Sequence, residues 1–270
     1  MVHPFTFSPT AHGRGLKSAA MNPLTDDAPP EADSDAGAAP AISEEALARL
    51  REWIDRGLLP ELIPTRQARS LRTALAMIEA GRALLMTRSL EDLSVEMVCQ
   101  RAGTTVGAFY GRFESKHAFF ITMQRLQTAR SRETLAGFTQ RHEVDHADLD
   151  ALCEEMVELT VSTFRSNLGV LRASLQHSKE GMWELFKQSG DRYRSVLVAK
   201  LAPHLKHLPV KERELRVLFA YQAMAGTLVH AVLNDPGPLK LEDAALNQEL
   251  VRMVKSYLTA PRKTRRRPAP

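Results

Sequence analysis

The segment His142-Glu143-Val144-Asp145-His146 has the most direct catalytic interpretation in the sequence. On a helix, two histidines at this spacing share one face and can bind Zn²⁺, while the glutamate serves as general base. Asp145, however, stands where such helices are usually apolar, and RHEVDHADLD is typical of a solvated connection between helices. We predict no catalytic residue, no metal site and no cofactor. A helical metal-dependent hydrolase using His142, Glu143 and His146 stays open as an alternative.

A second stretch, AGTTVGAFYGRFESKHAFF from Ala102 to Phe120, has residue types suited to contact with a polyanion. Gly103 and Gly107 stand too close together for a buried helix, because each glycine in a helix interior costs about 1 kcal/mol relative to alanine. A hydroxyl and backbone N–H groups at a helix N-terminus can bind a phosphate. The stretch therefore predicts a tight turn and a short helix that approaches another molecule closely.

Capping residues in and beside this stretch predict where its helices begin and end. Ser94 predicts the start of a short helix, and Gly103 predicts its end, because glycine readily adopts the left-handed conformation found after a helix. Thr105 predicts the start of a second short helix, and Ser115 the start of a long one. A helix, a glycine turn and a second helix form a helix-turn-helix, whose second helix enters the DNA major groove.

Each candidate residue has a predicted role at this groove. Thr105 and Tyr110 carry hydroxyls for phosphate contacts, and Gly107 leaves room for the duplex. Val106 and Ala108 can contact thymine methyl groups. A lysine in the first turn of a helix opposes the helix dipole, so Lys116 suggests an external anion. The candidate DNA-binding residues of this pattern are Thr104, Thr105, Val106, Gly107, Ala108, Tyr110 and Lys116.

The segment from Met77 to Phe120 resembles the DNA-binding head of the TetR family of transcriptional regulators. The family's glycine, tyrosine, phenylalanine and Ser-Lys positions are matched, without a gap, by Gly103, Gly107, Tyr110, Phe113, Ser115 and Lys116. The resemblance implies that the second helix faces DNA, and it adds Ser94 to the candidate DNA-binding residues. Between Thr104 and Ala108, however, there is no Arg, Lys, Gln or Asn. A module that kept this fold without binding DNA is therefore a further alternative.

Composition and charge are consistent with a nucleic-acid partner. The 270-residue chain has a formal net charge of +4, and residues 66–117 carry eight basic and five acidic residues. Positive charge beside the glycine-rich turn favours a polyanion. No apolar run of about 20 residues was found that would span a membrane, and the N-terminus lacks the apolar region of a secretory signal. Cys99 and Cys153 are expected to be reduced core residues, which favours the cytoplasm.

The predicted organisation is all-α. Residues 1–42 are predicted to be a disordered extension, 43–64 an extra amphipathic helix, 65–125 a three-helix head with the helix-turn-helix, 126–258 a ligand-binding and dimerisation domain, and 259–270 a basic disordered tail. Candidate helices lie near 66–87, 94–102, 105–111, 115–140, 147–166, 169–177, 181–206, 210–233 and 241–258.

The larger domain is expected to dimerise and to bind a ligand. Segments 210–233 and 241–258 are predicted to form an antiparallel helix pair, and two such pairs make a four-helix homodimer interface. The alternative is that the same apolar faces form an intramolecular core. A small apolar effector is expected to contact a subset of large side chains that otherwise form plain core; the candidates are Met123, Met156, Phe164, Leu175, His177, Trp183 and Phe186.

Taken together, these patterns predict a homodimeric transcriptional regulator of the TetR type. We predict a ligand-responsive repressor that binds a pseudo-palindromic operator in double-stranded DNA, with half-sites about 34–36 Å or a multiple apart. Membrane association is not expected.

Overall fold

The structure, a computed structural model, describes residues 41–64, 67–142, 148–234 and 237–261. Within these ranges the chain forms ten α-helices: α1 (Glu44–Asp55), α2 (Ala68–Leu85), α3 (Val95–Arg101), α4 (Val106–Tyr110), α5 (Lys116–Arg141), α6 (Leu149–Ser166), α7 (Leu168–Gln176), α8 (Glu184–Leu201), α9 (Val210–Asn234) and α10 (Ala244–Thr259). No strand lies in these ranges, and an isolated antiparallel bridge pairs Leu62 with Phe113. The prediction of an all-α fold is confirmed.

Side-chain caps set the starts of four helices. The hydroxyls of Ser43, Ser94, Thr105 and Ser115 each accept a hydrogen bond from the backbone N–H three residues later, at 3.0–3.1 Å. Such a cap contributes about 1 kcal/mol, because it satisfies one of the N–H groups that a helix start leaves free. The four predicted helix starts are therefore confirmed.

The extra helix occupies the first part of the segment 43–64 and ends just before Gly57. α1 ends at Asp55, and Gly57 adopts a left-handed φ of 66°. This glycine lets the chain reverse, and the backbone N–H of Leu58 then donates to the carbonyl oxygen of Trp53 at 2.9 Å. The chain continues as a turn that brings Leu62 beside Phe113.

The predicted helix over 181–206 is corrected at both ends. Gly181 adopts a φ of 83°, so α8 begins only at Glu184. It ends at Leu201 and is followed by a 3-10 turn, Ala202–His204, that contains Pro203. Proline lacks the N–H needed to continue an α-helix, which explains the early end.

Two predicted segments fall mostly outside the described residues. The extension is described only at Ala41 and Ile42, and the basic tail only as far as Pro261. The predictions for the remainder, residues 1–40 and 262–270, therefore stay predictions.

The apolar side chains form two cores, and α5 runs through both. The first core joins α1, α2, α3, α4 and the first half of α5, and it includes Val170, Ala173 and Met182 from the larger domain. The second joins the rest of α5 to α6, α8, α9 and α10. The predicted boundary between residues 125 and 126 thus lies inside one continuous helix, which gives the head and the larger domain a rigid connection.

A close contact between α2 and α7 holds the head against the larger domain. An ideal Cβ on Gly169 of α7 would lie only 2.4 Å from the carbonyl oxygen of Leu85 at the end of α2. The guanidinium of Arg172 donates to the carbonyl oxygens of Leu85 and Met86 at 2.8 and 2.9 Å. These bonds satisfy carbonyls that the end of α2 leaves without helical partners.

Helices α9 and α10 differ in how their apolar faces are covered. The face of α10 that carries Leu246, Leu250, Val254 and Leu258 is buried within the same chain, so the intramolecular alternative holds for these residues. In contrast, Leu215, Phe219 and Leu233 of α9 are 65%, 49% and 44% exposed. α9 therefore keeps an uncovered apolar face.

The length and composition of α9 would allow it to cross a membrane, because an 18-residue window in it has a mean hydropathy of 1.3. One such helix is weak evidence for a membrane span, because core helices of soluble proteins share this length and composition.

The two cysteines should be unreactive in the native protein. Cys153 and Cys99 are free thiols with 0% and 3% exposure. Burial raises the pKa of Cys153 to about 12 and also raises the pKa of Cys99, so both thiols stay protonated at about pH 8. We expect maleimide to label neither thiol in the native protein and both after unfolding, as measured by mass spectrometry. Labelling of native Cys153 as fast as in the unfolded chain would contradict this prediction.

Candidate nucleic-acid interface and ligand cavity

The turn between α3 and α4 is fixed by backbone hydrogen bonds. Gly103 has a φ of 63°, and the N–H of Thr104 donates to the carbonyl oxygen of Cys99 at 2.9 Å. The N–H of Gly103 donates to Gln100 at 3.2 Å, which completes a Schellman motif. The left-handed φ requires a residue without a Cβ penalty, so the chain can turn directly from α3 into α4.

α4 is anchored by a buried cluster of three phenylalanine rings, one of which is its own Phe109. The ring of Phe109, on α4, lies 5.2 Å from the rings of both Phe113 and Phe119, measured between centroids. The rings of Phe113 and Phe119 are 4.9 Å apart in an edge arrangement. All three side chains are at most 1% exposed. Because α4 has only five residues, this cluster rather than helix propensity holds it in place.

Arg112 fixes the end of α4, a role that sequence reasoning missed. Its Nη1 donates to the carbonyl oxygen of Ala108 at 2.8 Å, and its Nε donates to the carbonyl oxygen of Ser70 on α2 at 3.1 Å. The N–H of Ile63 donates to the carbonyl oxygen of Arg112 at 2.8 Å. The sequence offers no signal for this role, because Ser70 is 42 residues away.

The outer face of α4 presents few side chains. Thr105, Gly107 and Tyr110 are exposed, with Tyr110 at 52%. The two residues predicted to contact thymine methyls, Val106 and Ala108, are half-buried against the first core. Thr105 accepts its capping bond through Oγ1, which leaves the hydroxyl proton free to donate to a phosphate.

The remaining predicted contact residues lie beside this face. Thr104 is half-buried in the turn. The Ser94 hydroxyl caps α3, and the Nζ of Lys116 lies 3.2 Å from the carbonyl oxygen of Glu91 and donates to it. Ser94 and Lys116 thus lie near the start of α3, and Thr105, Gly107 and Tyr110 are the predicted residues most open to an external molecule.

The surroundings of Gly107 inside the protein leave room for a larger side chain. An ideal Cβ there would meet only Oγ1 of Thr105, at 4.0 Å. We expect Gly107→Ala to raise the free energy of unfolding by roughly 0.5–1 kcal/mol, because alanine is the better helix former. The added methyl group should obstruct an approaching duplex and weaken DNA binding by roughly tenfold or more. Urea unfolding and fluorescence anisotropy with labelled DNA would measure the two effects. Unchanged DNA affinity would show that the duplex does not approach Gly107.

A cavity of about 650 Å³ lies between α5, α6, α8 and α9 of the larger domain. Of the predicted ligand-contacting residues, Phe164, Trp183 and Phe186 line it, together with Leu171 and Tyr193. Its volume is in the range of small-molecule sites in proteins.

The other four predicted pocket residues do not line the cavity. Met123 belongs to the first core and Met156 to the second, with 0% and 1% exposure, and Leu175 packs against the second core. The Nε2 of His177 lies 2.8 Å from the carboxylate of Glu91. The prediction for these residues is corrected, because residue type and helical spacing do not separate a core side chain from a cavity wall.

The phenols of Tyr193 and Tyr221 line this cavity. The hydroxyl of Tyr193 lies 2.8 Å from that of Thr160 and donates to the carbonyl oxygen of Met156 at 3.2 Å. Burial raises the pKa of both tyrosines above the ordinary value. Each phenol therefore stays neutral and can act as a hydrogen-bond donor in the wall.

The zinc-binding pattern is only partly visible, since Glu143 and His146 lie outside the described residues. His142 is hydrogen-bonded to the carboxylate of Glu155, and its ring packs against Phe138 with 4.9 Å between centroids. Across the described ranges, no three His, Cys, Asp or Glu side chains are placed to hold one metal ion.

The chain matches two family models, one over the head and one over the larger domain. Residues 77–123 match the family model of bacterial regulatory proteins of the TetR family. Residues 148–258 match the model of tetracyclin repressor-like C-terminal domains. None of the curated proteins matches the chain by sequence.

Two solved structures have a similar fold. A candidate TetR-family transcriptional regulator from Mesorhizobium loti is 13% identical with a TM-score of 0.58, and the match covers 72% of this chain and 98% of that one. A candidate transcriptional regulator from Pseudomonas aeruginosa is 22% identical with a TM-score of 0.52, over 72% of this chain and 91% of that one. At these identities the similarity extends to the fold alone.

Proposed function

The chain belongs to the TetR family of bacterial regulatory proteins, and from this premise we propose that it is a ligand-responsive repressor that binds a DNA operator as a homodimer. The observation that carries the proposal is the outer face of α4, where Thr105, Gly107 and Tyr110 are exposed on a helix fixed by Arg112 and three phenylalanines. Such rigid support suits a contact surface, because precise placement limits the ordering cost of binding.

In this proposal α4 enters the major groove. Thr105 and Tyr110 donate hydrogen bonds to phosphates, while the duplex approaches at Gly107. Lys116, with Ser94 and Thr104 nearby, adds contacts to the phosphate backbone. Val106 and Ala108 are half-buried, so their contribution to base recognition is limited to apolar contact with thymine methyls.

Dimerisation would use the uncovered apolar face of α9, with α10 beside it. This face exposes three large apolar side chains, Leu215, Phe219 and Leu233. Exposed apolar patches of this kind often mark protein interaction sites. We expect Phe219→Glu to shift the protein from dimer to monomer in analytical ultracentrifugation, because a buried unpaired carboxylate is costly. The matched change Gln140→Glu, at an exposed polar position of α5 outside the proposed interface, should leave the dimer intact. A Phe219→Glu protein that stays dimeric would exclude α9 as the interface.

Regulation would depend on the cavity in the larger domain. A repressor releases its operator only when the effector binds the released state more tightly than the DNA-bound state. α5 and α7 offer a path for this coupling, since α5 passes through both cores and α7 packs against the end of α2. We propose that the protein acts in the cytoplasm, without a cofactor and without catalysis.

The test is selection and sequencing of DNA bound by the purified protein, with Tyr110→Ala and Tyr110→Phe run in parallel. We expect an enriched palindrome with half-sites about one helical turn or a multiple apart. Tyr110→Ala should weaken its binding by roughly tenfold, and Tyr110→Phe by less, because the phenylalanine ring still supports the helix.

The opposite result would refute operator recognition. If no sequence is enriched, and the only binding is salt-sensitive and independent of Tyr110, the head does not read DNA. The protein would then be an interaction module that keeps the fold, as the lack of Arg, Lys, Gln and Asn between Thr104 and Ala108 allows.

A further inference from the structure

The charged side chains of the cavity wall are all cationic. Lys187 and Arg194 of α8 line the cavity, and no aspartate or glutamate is among its lining residues in the described part of the chain. Because they are seven residues apart on one helix, the two cations lie on the same side of α8. A wall with two positive charges and no negative one favours an anionic ligand.

Arg194 and Tyr221 meet beside a bare stretch of backbone at Gly190. An ideal Cβ on Gly190 would lie 3.3 Å from Nη1 of Arg194 and 3.9 Å from the hydroxyl of Tyr221. The absence of a side chain at Gly190 lets the guanidinium of Arg194 lie close against the backbone of α8, beside the hydroxyl of Tyr221. Both groups are hydrogen-bond donors, and together they suit a carboxylate.

Arg194 is available to a ligand although it has a partner. Its guanidinium pairs with Asp191, one turn earlier on α8, whose side chain is 65% exposed. An exposed ion pair of this kind contributes little free energy, because water and salt screen it. A ligand carboxylate in the less exposed cavity can therefore share or replace Asp191 as a partner.

Most hydroxyl groups of the wall are not free donors. Thr128, Thr134 and Thr163 each donate to the carbonyl oxygen four residues earlier, at 2.7–3.0 Å. Other polar donors of the wall belong to Ser131, Trp183, Ser189 and Gln222, whereas its charged donors are Arg194 and Lys187. Because hydrogen bonds from charged donors are the stronger ones, the two cations select for negative charge.

The apolar part of the wall offers flat aromatic surfaces. Trp183 and Phe186 are stacked with centroids 5.4 Å apart and an angle of 29° between ring planes. Tyr193 and Tyr221 are also 5.4 Å apart, at 46°. Aromatic groups pack well against such rings in offset or edge arrangements. The wall is thus suited to a planar ring system.

We propose that the effector of this protein is an aromatic carboxylate, whose ring packs against Trp183 and Phe186 and whose carboxylate binds Arg194 and Tyr221. Lys187, which is 66% exposed and lies 3.8 Å from the carboxylate of Glu184, adds a second positive charge to the same wall. The identification of this ligand as the effector rests on the proposed regulatory function, whereas its binding in the cavity does not.

The test compares two probes of nearly the same size and shape, of which one carries a carboxylate and the other a neutral amide. Calorimetric titration of the full-length protein with naphthoate and with naphthamide should show tighter binding of the acid by roughly tenfold, because its carboxylate gains charge-assisted bonds. Arg194→Gln should abolish this preference. Arg192→Gln, which removes an exposed arginine from α8 outside the cavity wall, should leave it unchanged. Circular dichroism would establish that each variant is folded.

Three results would overturn the proposal: equal affinity for acid and amide, a preference that survives Arg194→Gln, or no binding of either probe. The operator measurement is separate. A protein that binds its palindrome but shows one of these results would keep the proposed function and lose this ligand class. Arg194-dependent naphthoate binding without operator recognition would keep the carboxylate site and refute the regulatory function.

Discussion

Trp53→Ala is expected to lower the free energy of unfolding by about 3–5 kcal/mol, the usual cost of truncating a large buried aromatic side chain. Trp53 is 2% exposed and anchors α1 in the first core. Its Nε1 donates to the carboxylate of Glu133 at 2.7 Å, a bond that joins α1 to the middle of α5. The measurement is urea unfolding followed by circular dichroism at one fixed protein concentration.

The same substitution should also weaken operator binding, because the segment that follows α1 braces α4. Ile63 donates to the carbonyl of Arg112, and Glu61 forms a salt bridge with Arg125 at 2.8 Å. The control is Arg51→Ala, at an exposed position of α1, which should change stability by less than about 0.5 kcal/mol. A cost below about 1 kcal/mol for Trp53→Ala would show that α1 does not stabilise the fold.

Gly169→Ala is expected to cost about 1–3 kcal/mol or more, because it forces a methyl group into a closed contact. The new Cβ would lie 2.4 and 2.5 Å from the carbonyl oxygen and carbon of Leu85. Those atoms belong to the backbone of α2, so the helices themselves must separate. The hydrogen bonds from Arg172 to Leu85 and Met86 should weaken as a result.

The matched control for Gly169→Ala is Gly137→Ala. Both replace a helical glycine, but a Cβ on Gly137 meets only Nη1 of Arg141, at 3.2 Å. This flexible side chain can move, so the control should be neutral or stabilising by up to about 1 kcal/mol. Thermal unfolding of the two variants would measure the difference. Equal stability would show that α2 and α7 are not in close contact at Gly169.

Local features of this fold could be predicted from the sequence because they depend on neighbouring residues. The caps at Ser94 and Thr105 act over three residues, and the left-handed turn at Gly103 acts over five. The residues that form each of these features are close together in the sequence. The helix-turn-helix could therefore be identified before its geometry was known.

Long-range features could not be predicted in the same way. The contact of Trp53 with Glu133 spans 80 residues, and that of Arg112 with Ser70 spans 42. Neither residue type nor periodicity specifies such partners. The residues of the cavity wall could not be predicted either, because residue type does not separate wall from core. Met156 and Phe164 are both large and apolar, yet Met156 fills the core and Phe164 lines the cavity.

Helix α9 contributes to two surfaces at once. Its residues Gln222 and Gly226 line the cavity and are also exposed, between Phe219 and Leu233 of the uncovered apolar face. In a dimer formed through α9, effector binding and subunit association are thermodynamically linked. Any factor by which the effector changes the dimer dissociation constant must equal the factor by which association changes effector affinity. The copy number of the regulator in the cell then helps to set the effector concentration at which genes respond.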